Sequence, residues 1–452
     1  MRLMAEPIAP AGPTASTALA ALTLPQGLAY GLMGLPLAFV ALPLYVVLPH
    51  HYASTLGAPL AALGGVLLGA RLLDALVDPG LGRLADRLLQ HSPRAVWRAC
   101  AVAGALLALA LWAVFMPQVR SPGALLVWAA VGLALAYPAY SLLSITHQAW
   151  GARLGGNEAQ RGRVVAWREG AGLLGVVLAS VLPTLLGVPA MLGAFSGLLV
   201  LGWLAWHRAP VPPPLPPASD AAGPAGLWQP WRQAAFRRLM GVFVLNGIAS
   251  AVPATLLLFF VQDRLQAAPG QEPVLLGLYF LSAAAAMPLW LRAVARWGLA
   301  PCWLAGMLLA VAVFAWATTL GAGQVMAFRW ICALSGLTLG ADLVVPGALL
   351  AGVLAQPGAA SAGASFGWWN FANKLNLALA AGLALPLLAA LGYTPGSTDA
   401  AGLQALSLGY AALPCALKLA AALALYGLIL RPAAQDRARP GALLQPSPTD
   451  TP

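Results

Sequence analysis

The stretch "RLLDALVDPGLGRLADR", residues 71–87, sets Asp74 and Asp78 one helical turn apart inside a segment that otherwise reads as membrane-buried. The chain around it has 452 residues, 60% of them hydrophobic and only 8% charged, with a mean hydropathy of +0.81, so its main solvent is lipid. Apolar runs of the length needed to cross a bilayer, roughly 20 residues, recur at 25–49, 57–81, 97–116, 122–148, 166–187, 189–206, 236–261, 273–293, 299–320, 324–354, 362–392 and 402–430. Six runs lie on each side of one polar break, "HRAPVPPPLPPASDAAGPAGLWQPWRQ", residues 207–233, whose prolines read as an extended linker. The expected fold is an all-α integral membrane protein with twelve transmembrane helices in two six-helix halves. Its parts are a disordered tail (1–24), an N-terminal bundle (25–207), a Pro-rich linker (208–234), a C-terminal bundle (235–431) and a second disordered tail (432–452).

The net charge of +11 is distributed in a pattern that argues against nucleic acid. Arg83, Arg87, Arg94 and Arg98 fall between the second and third runs, Arg153, Arg161 and Arg163 between the fourth and fifth, and Arg208, Arg232, Arg237 and Arg238 around the linker. The alternate loops hold few, Arg120 and Arg264 being the main exceptions, so the positive-inside rule places both termini in the cytoplasm. No basic-aromatic module accompanies the charge. Residues 1–24 lack the features of a secretory signal. The four cysteines stand in different runs without paired spacing and read as small packing residues, and His50 and His51 have no carboxylate or Cys at ligand spacing. No nucleophile-base pair, metal cluster or phosphate loop marks an enzyme.

Ionisable side chains near the bilayer centre cost at least about 2.5–3.5 kcal/mol each, so function is sought where they remain. They are Arg71, Asp74, Asp78, Arg168, Glu169, Asp342, Lys374 and Lys418. Arg71, Asp74 and Asp78 share one helical face, and the two carboxylates stand about 6 Å apart along the axis at a rise of about 1.5 Å per residue. Two acids that close repel, and a bound cation or proton relieves the repulsion. An alternative is that Arg71 simply neutralises Asp74 in a structural pair. The chain has 22 arginines but only two lysines, both inside apolar runs. Lys374 sits near mid-span on a face with Gly363, Gly367, Asn370, Ala378 and Gly382, which permits close helix approach. It is the expected counter-ion of the acids, whereas Lys418 also suits snorkelling to an interface. When Pro79 is aligned with Pro288 of the second half, Asp74 and Asp78 face Ala283 and Met287 while Arg87 faces Arg296, so the fold alone does not demand the acids.

These stretches resemble the glycoside-pentoside-hexuronide:cation symporter family, within the major facilitator superfamily, along essentially the whole membrane region. "DALVDPGLGRLADR" resembles its D-x-x-x-D-P-x-x-G-x-x-x-D-R signature, which implies cation binding by Asp74 and Asp78 and cytoplasmic gating by Asp86 and Arg87. "HQAWGARLGGNEAQRGRVVAWREG", residues 147–170, resembles the loop between the fourth and fifth helices and implies a substrate contact for Arg168. "FGWWNFANKLNLALAAGLALPLLAALGY", residues 366–393, resembles the eleventh helix and implies a coupling role for Lys374; Arg71, on the helical face of the acids, is expected to share that role.

Sugar-binding relatives carry acids in the first and fourth helices, but "YGLMGLPLAFVALPLYVVL" and "LALAYPAYSLLSITHQAW" have none. Arg153 and Gly352 also replace acids common in relatives. The expected function is cation-coupled (Na+ or H+) symport of a small polar solute, a sugar or glycoside, by alternating access in a bacterial inner membrane. Tyr137, Tyr140, Gln148 and Arg168 from one half and Trp368, Trp369 and Asn370 from the other are the expected substrate contacts. The missing acids keep open a same-fold transporter or exporter of a lipid-like molecule, drug or peptidoglycan fragment, with a non-transporting membrane protein as a third reading. A monomer without cofactors is expected, its partners being the solute and the lipid bilayer.

Overall fold

Lipid offers a peptide group no hydrogen bond, so a chain that enters it must satisfy its N–H and C=O groups internally. The computed structural model describes residues 22–213, 226–268, 270–356, 358–396 and 399–438, and every regular element in them is helical. In chain order the long helices are α1 (Leu24–Thr55), α2 (Leu60–His91), α3 (Pro93–Phe115), α4 (Pro122–Ala152), α5 (Glu158–Pro183), α6 (Leu185–Trp206), α7 (Ala234–Arg264), α8 (Glu272–Trp297), α9 (Leu299–Thr319), α10 (Val325–Leu354), α11 (Ala362–Ala390) and α12 (Ala400–Gln435). Among the described residues eleven of these are long and apolar enough to cross a membrane, and α2 is the remaining long helix, the one carrying Arg71, Asp74 and Asp78.

Local sequence sets the boundaries. Ser92, Ser121 and Asn157 accept from the backbone N–H groups of Ala95, Ala124 and Gln160 at 3.1, 3.4 and 2.9 Å, capping α3, α4 and α5. Pro93 and Pro122 follow their caps, where a missing N–H costs nothing. Near the start of α6 the helical path is interrupted at Gly187, whose φ of +80° favours glycine. Pro79, Pro138, Pro253, Pro288, Pro346 and Pro386 lie inside helices, where each removes one ladder bond and favours a bend. Large apolar side chains such as Leu76, Val102, Leu185 and Leu423 are exposed on the outside, as lipid contact requires.

The two halves meet along two seams. At one, α2 packs on α11; at the other, α5 packs on α8 and α10. Gly82 and Gly363 face each other so closely that a Cβ on either would strike the opposite carbonyl oxygen, and a Cβ on Gly367 would lie 2.7 Å from the Asp78 carbonyl oxygen. Small residues thus allow α2 and α11 to approach backbone to backbone. At the second seam Gly162 lies against Leu291, Val294 and Val344, and Gly170 against Met287. Both seams run toward the end of the bundle that carries the loop arginines.

Three expectations change. The tail expected from 432 begins as helix: Arg431–Ala438 continues from α12, because Ala, Gln and Arg favour helix. The linker is not extended throughout, since Gln229–Arg232 forms one helical turn whose Trp231 packs on Phe236 and Trp368. Leu24, placed in the N-terminal tail, starts α1. Residues 1–21, 214–225 and 439–452 of the expected tails and linker lie outside the described residues.

Candidate functional site

Asp74 and Asp78 are both buried at the α2–α11 seam, and Lys374 reaches them from the other half. Its Nζ stands 2.7 Å from Asp74 Oδ2 and 2.8 Å from Asp78 Oδ2, and it donates to Asp78 Oδ1 at 2.9 Å and to Ser141 Oγ at 2.8 Å. The Ser141 hydroxyl in turn donates to Asp74 Oδ1 at 2.9 Å. The i, i+4 spacing turns both carboxylates to one face, and Gly367, almost two turns before Lys374, brings α11 close enough for the lysine to span the pair. The charges sum to one negative, with both carboxylates buried and the lysine partly exposed. Such a cluster holds a monovalent cation by replacing the ammonium or takes a proton on either acid.

Arg71 does not join this cluster. Its guanidinium lies 4.3 Å from the centroid of the Tyr45 ring, and among the described residues it forms no ion pair with Asp74 or Asp78. A cation on an aromatic face gains attraction from the ring quadrupole, and the space between the two acids is taken by the Lys374 ammonium. The alternative Arg71–Asp74 pair is therefore not formed in this conformation, and Arg71 stands outside the cluster that it was expected to join.

The expected substrate residues divide. Tyr137 and Tyr140 lie within electrostatic reach of Asp74, as does Tyr45, which sequence reasoning missed because an isolated tyrosine among prolines and valines carries no spacing signal. Gln148 donates to Ser144 Oγ at 2.8 Å and to Asn370 Oδ1 at 3.3 Å, joining the two halves directly. Arg168 pairs with its neighbour Glu169. Trp368 and Trp369 depart from the expectation. The Trp368 indole donates to the Leu227 carbonyl at 2.8 Å and packs among Trp228 and Trp231 near the linker, while Trp369 stacks on Phe243 of α7 at 3.6 Å. Each ring is occupied by packing, the common role of tryptophan in an apolar interior.

At the arginine-rich end, Asp86 accepts from the N–H groups of Gly363 and Ala364 at 2.6 and 2.8 Å, capping α11 from the other half. Arg87 beside it is exposed and forms no ion pair among the described residues. The second seam repeats the device: Glu158, the first residue of α5, accepts from the Leu299 N–H at the start of α9 at 2.7 Å. Glu158 was missed, although a lone acid in an arginine-rich loop was visible.

A second buried pair lies wholly within the C-terminal half. Lys418 Nζ stands 2.7 Å from Asp342 Oδ2 and donates to Ser250 Oγ at 3.1 Å. Asp342 Oδ1 accepts from Trp303 Nε1 at 2.8 Å and Asn246 Nδ2 at 3.2 Å. Lys418 therefore does not snorkel; a carboxylate within reach holds it inside.

Comparison with known proteins agrees with this fold. The bacterial homologue of the iron transporter ferroportin, in an outward-facing state, superposes with a TM-score of 0.66 at 15% identity, covering 90% of this chain and 99% of that one. The E. coli fucose:proton symporter gives 0.63 at 14% identity with the same coverage, and a structure of that transporter in the outward conformation gives 0.62 at 14% identity, covering 89% and 98%. No curated protein matches by sequence. The family profile described as MFS/sugar transport protein matches residues 27–430, nearly the whole membrane region. The chain belongs to that family and is a transporter of the major facilitator superfamily.

Proposed function

We propose that the protein is a cation-coupled symporter that carries a small polar solute, of the sugar or glycoside class, by alternating access across a bacterial inner membrane. The observation that carries this reading is the Lys374 ammonium bridging Asp74 and Asp78 across the seam between halves. Five oxygens surround Nζ within 3.5 Å: Asp74 Oδ2, both Asp78 oxygens, Ser141 Oγ and the Asp74 carbonyl. An all-oxygen cage suits a hard cation such as Na+, and either carboxylate suits H+. The acids belong to one half and the lysine to the other, so displacing the ammonium alters the attraction between halves. A ligand that acts differently on two conformations in this way shifts their balance.

With the arginine-rich end as the cytoplasmic one, Asp86 and Glu158 close the cytoplasmic side in this conformation. The solute then enters from the opposite side and meets Tyr137, Tyr140, Gln148, Arg168 and Asn370 near the midplane, where repeat-built transporters bind. The coupling cation enters as substrate, and its release toward the cytoplasm lets Lys374 return. The test is uptake of a panel of sugars and glycosides into proteoliposomes under an imposed Na+ or pH gradient. Gradient-dependent accumulation of a member of the panel is expected. Entry of every permeant solute at rates indifferent to both gradients refutes symport.

A further inference from the structure

The C-terminal half holds a partly open cavity of about 190 Å³ whose walls come from α7, α8, α9, α10 and α12 and whose lining includes Asp342 and Lys418. No residue of the N-terminal half or of α11 lines it, which separates it from Asp74, Asp78 and Lys374. Its walls are apolar and aromatic, with Leu275, Phe280, Phe314 and Tyr410 prominent. An apolar cavity of about 150 Å³ accommodates benzene, so this one has room for a single ring or a short alkyl chain.

The Asp342–Lys418 pair selects the head group. The two Asp342 oxygens already receive three donors, from Trp303, Asn246 and Lys418. An ammonium has three N–H donors. Among the described residues Lys418 gives two of them, to Asp342 Oδ2 and Ser250 Oγ, which leaves one to offer. Of about four acceptor sites on a carboxylate one remains, on Asp342 Oδ2, so a neutral oxygen can accept from Lys418 and a hydroxyl can also donate to Asp342. The pair is also neutral in sum, so an ionised head would bring an uncompensated charge into an apolar interior, where burial penalises it heavily. We infer that this cavity is a binding site for an uncharged amphiphile, an aromatic ring or short chain bearing a hydroxyl, ether or carbonyl oxygen that accepts from Lys418.

Three one-ring probes differing in the head, with headless fluorobenzene as the reference that the wild type should bind more weakly than the alcohol, test this: 4-fluorobenzyl alcohol, 4-fluorobenzoate and 4-fluorobenzylammonium. Their binding to the full-length protein in lipid nanodiscs is followed by fluorine NMR against empty nanodiscs. The alcohol is expected to bind at least tenfold more tightly than either ion. Ala310→Phe, which fills the cavity, is expected to abolish its binding. The double variant Asp342→Asn/Lys418→Met, which leaves no unpaired charge, is expected to erase the preference for the alcohol over fluorobenzene. Asp78→Asn is expected to leave alcohol binding unchanged, so failure of the coupling reading and failure of this one are distinguishable. Equal or tighter binding of either ion by the wild-type protein overturns the inference, as does alcohol binding that survives Ala310→Phe or is lost in Asp78→Asn.

Discussion

Replacing Lys374 by Met removes the one positive charge held between two buried carboxylates. At 2.7 and 2.8 Å from Asp74 and Asp78, and at an effective dielectric of about 20, each attraction amounts to about 6 kcal/mol. Desolvation of the ammonium and both carboxylates, several kcal/mol for each ion, offsets most of the sum. A remainder on the order of 3 kcal/mol is what an entering cation must overcome in the wild type, or about 100-fold in affinity. Lys374→Met is therefore expected to bind the coupling cation about 100-fold more tightly while losing coupled solute transport, because the site no longer empties readily. Binding is measured on purified protein with radiolabelled Na+, or by proton uptake in lightly buffered solution for a proton-coupled cycle. Affinity unchanged within about threefold, or weaker than wild type, refutes the view that lysine and cation compete for one cage.

Asp86→Asn weakens a charge-assisted cap, a kind of bond that contributes about 1.5–3 kcal/mol, and is expected to raise the inward-open population several-fold. Distances between spin labels at the arginine-rich ends of α2 and α11 would lengthen. Glu158→Gln is expected to do the same at the second seam, and its effect should add to that of Asp86→Asn because the two seams share no partner among the described residues. Gly367→Ala sets a Cβ 2.7 Å from the Asp78 carbonyl oxygen, so it should separate α2 from α11 and weaken cation binding at least tenfold, read in the same binding assay. Asp342→Ala leaves Lys418 buried without its carboxylate and is expected to destabilise the protein by about 3–5 kcal/mol. Thermal unfolding of Asp342→Ala beside the Asp342→Asn/Lys418→Met variant checks this, since the double variant should recover most of the loss.

Legibility in the sequence followed the physics of each signal. Membrane helices are legible because hydropathy averages over some 20 residues, so all twelve were located, but their polar ends were not: α2 runs ten residues past the expected 81 and α5 begins eight before the expected 166. The kink at Gly187 and the turn at Gln229–Arg232 were not, since each depends on a single residue or a tertiary contact. Asp74, Asp78 and Lys374 stood out because a charge in lipid is costly and periodicity fixes its face. The position of the Arg71 guanidinium was not legible, because sharing a helical face does not say whether a long side chain bends toward a carboxylate or toward the Tyr45 ring. Nor were the ring contacts of Trp368 and Trp369, because tryptophan suits packing and binding equally well. The Asp342–Lys418 pair joins residues 76 positions apart on different helices, and single-sequence spacing carries no information about such a meeting.

The central claim is that the acid pair couples ion movement to solute movement. It is tested most directly by comparing gradient-driven accumulation with solute exchange at equilibrium in proteoliposomes, for the wild type and Asp78→Asn. Asp78→Asn is expected to lose accumulation against a concentration gradient while still exchanging labelled for unlabelled solute. Accumulation driven as strongly as in the wild type would contradict the assignment of Asp74 and Asp78 as the coupling site.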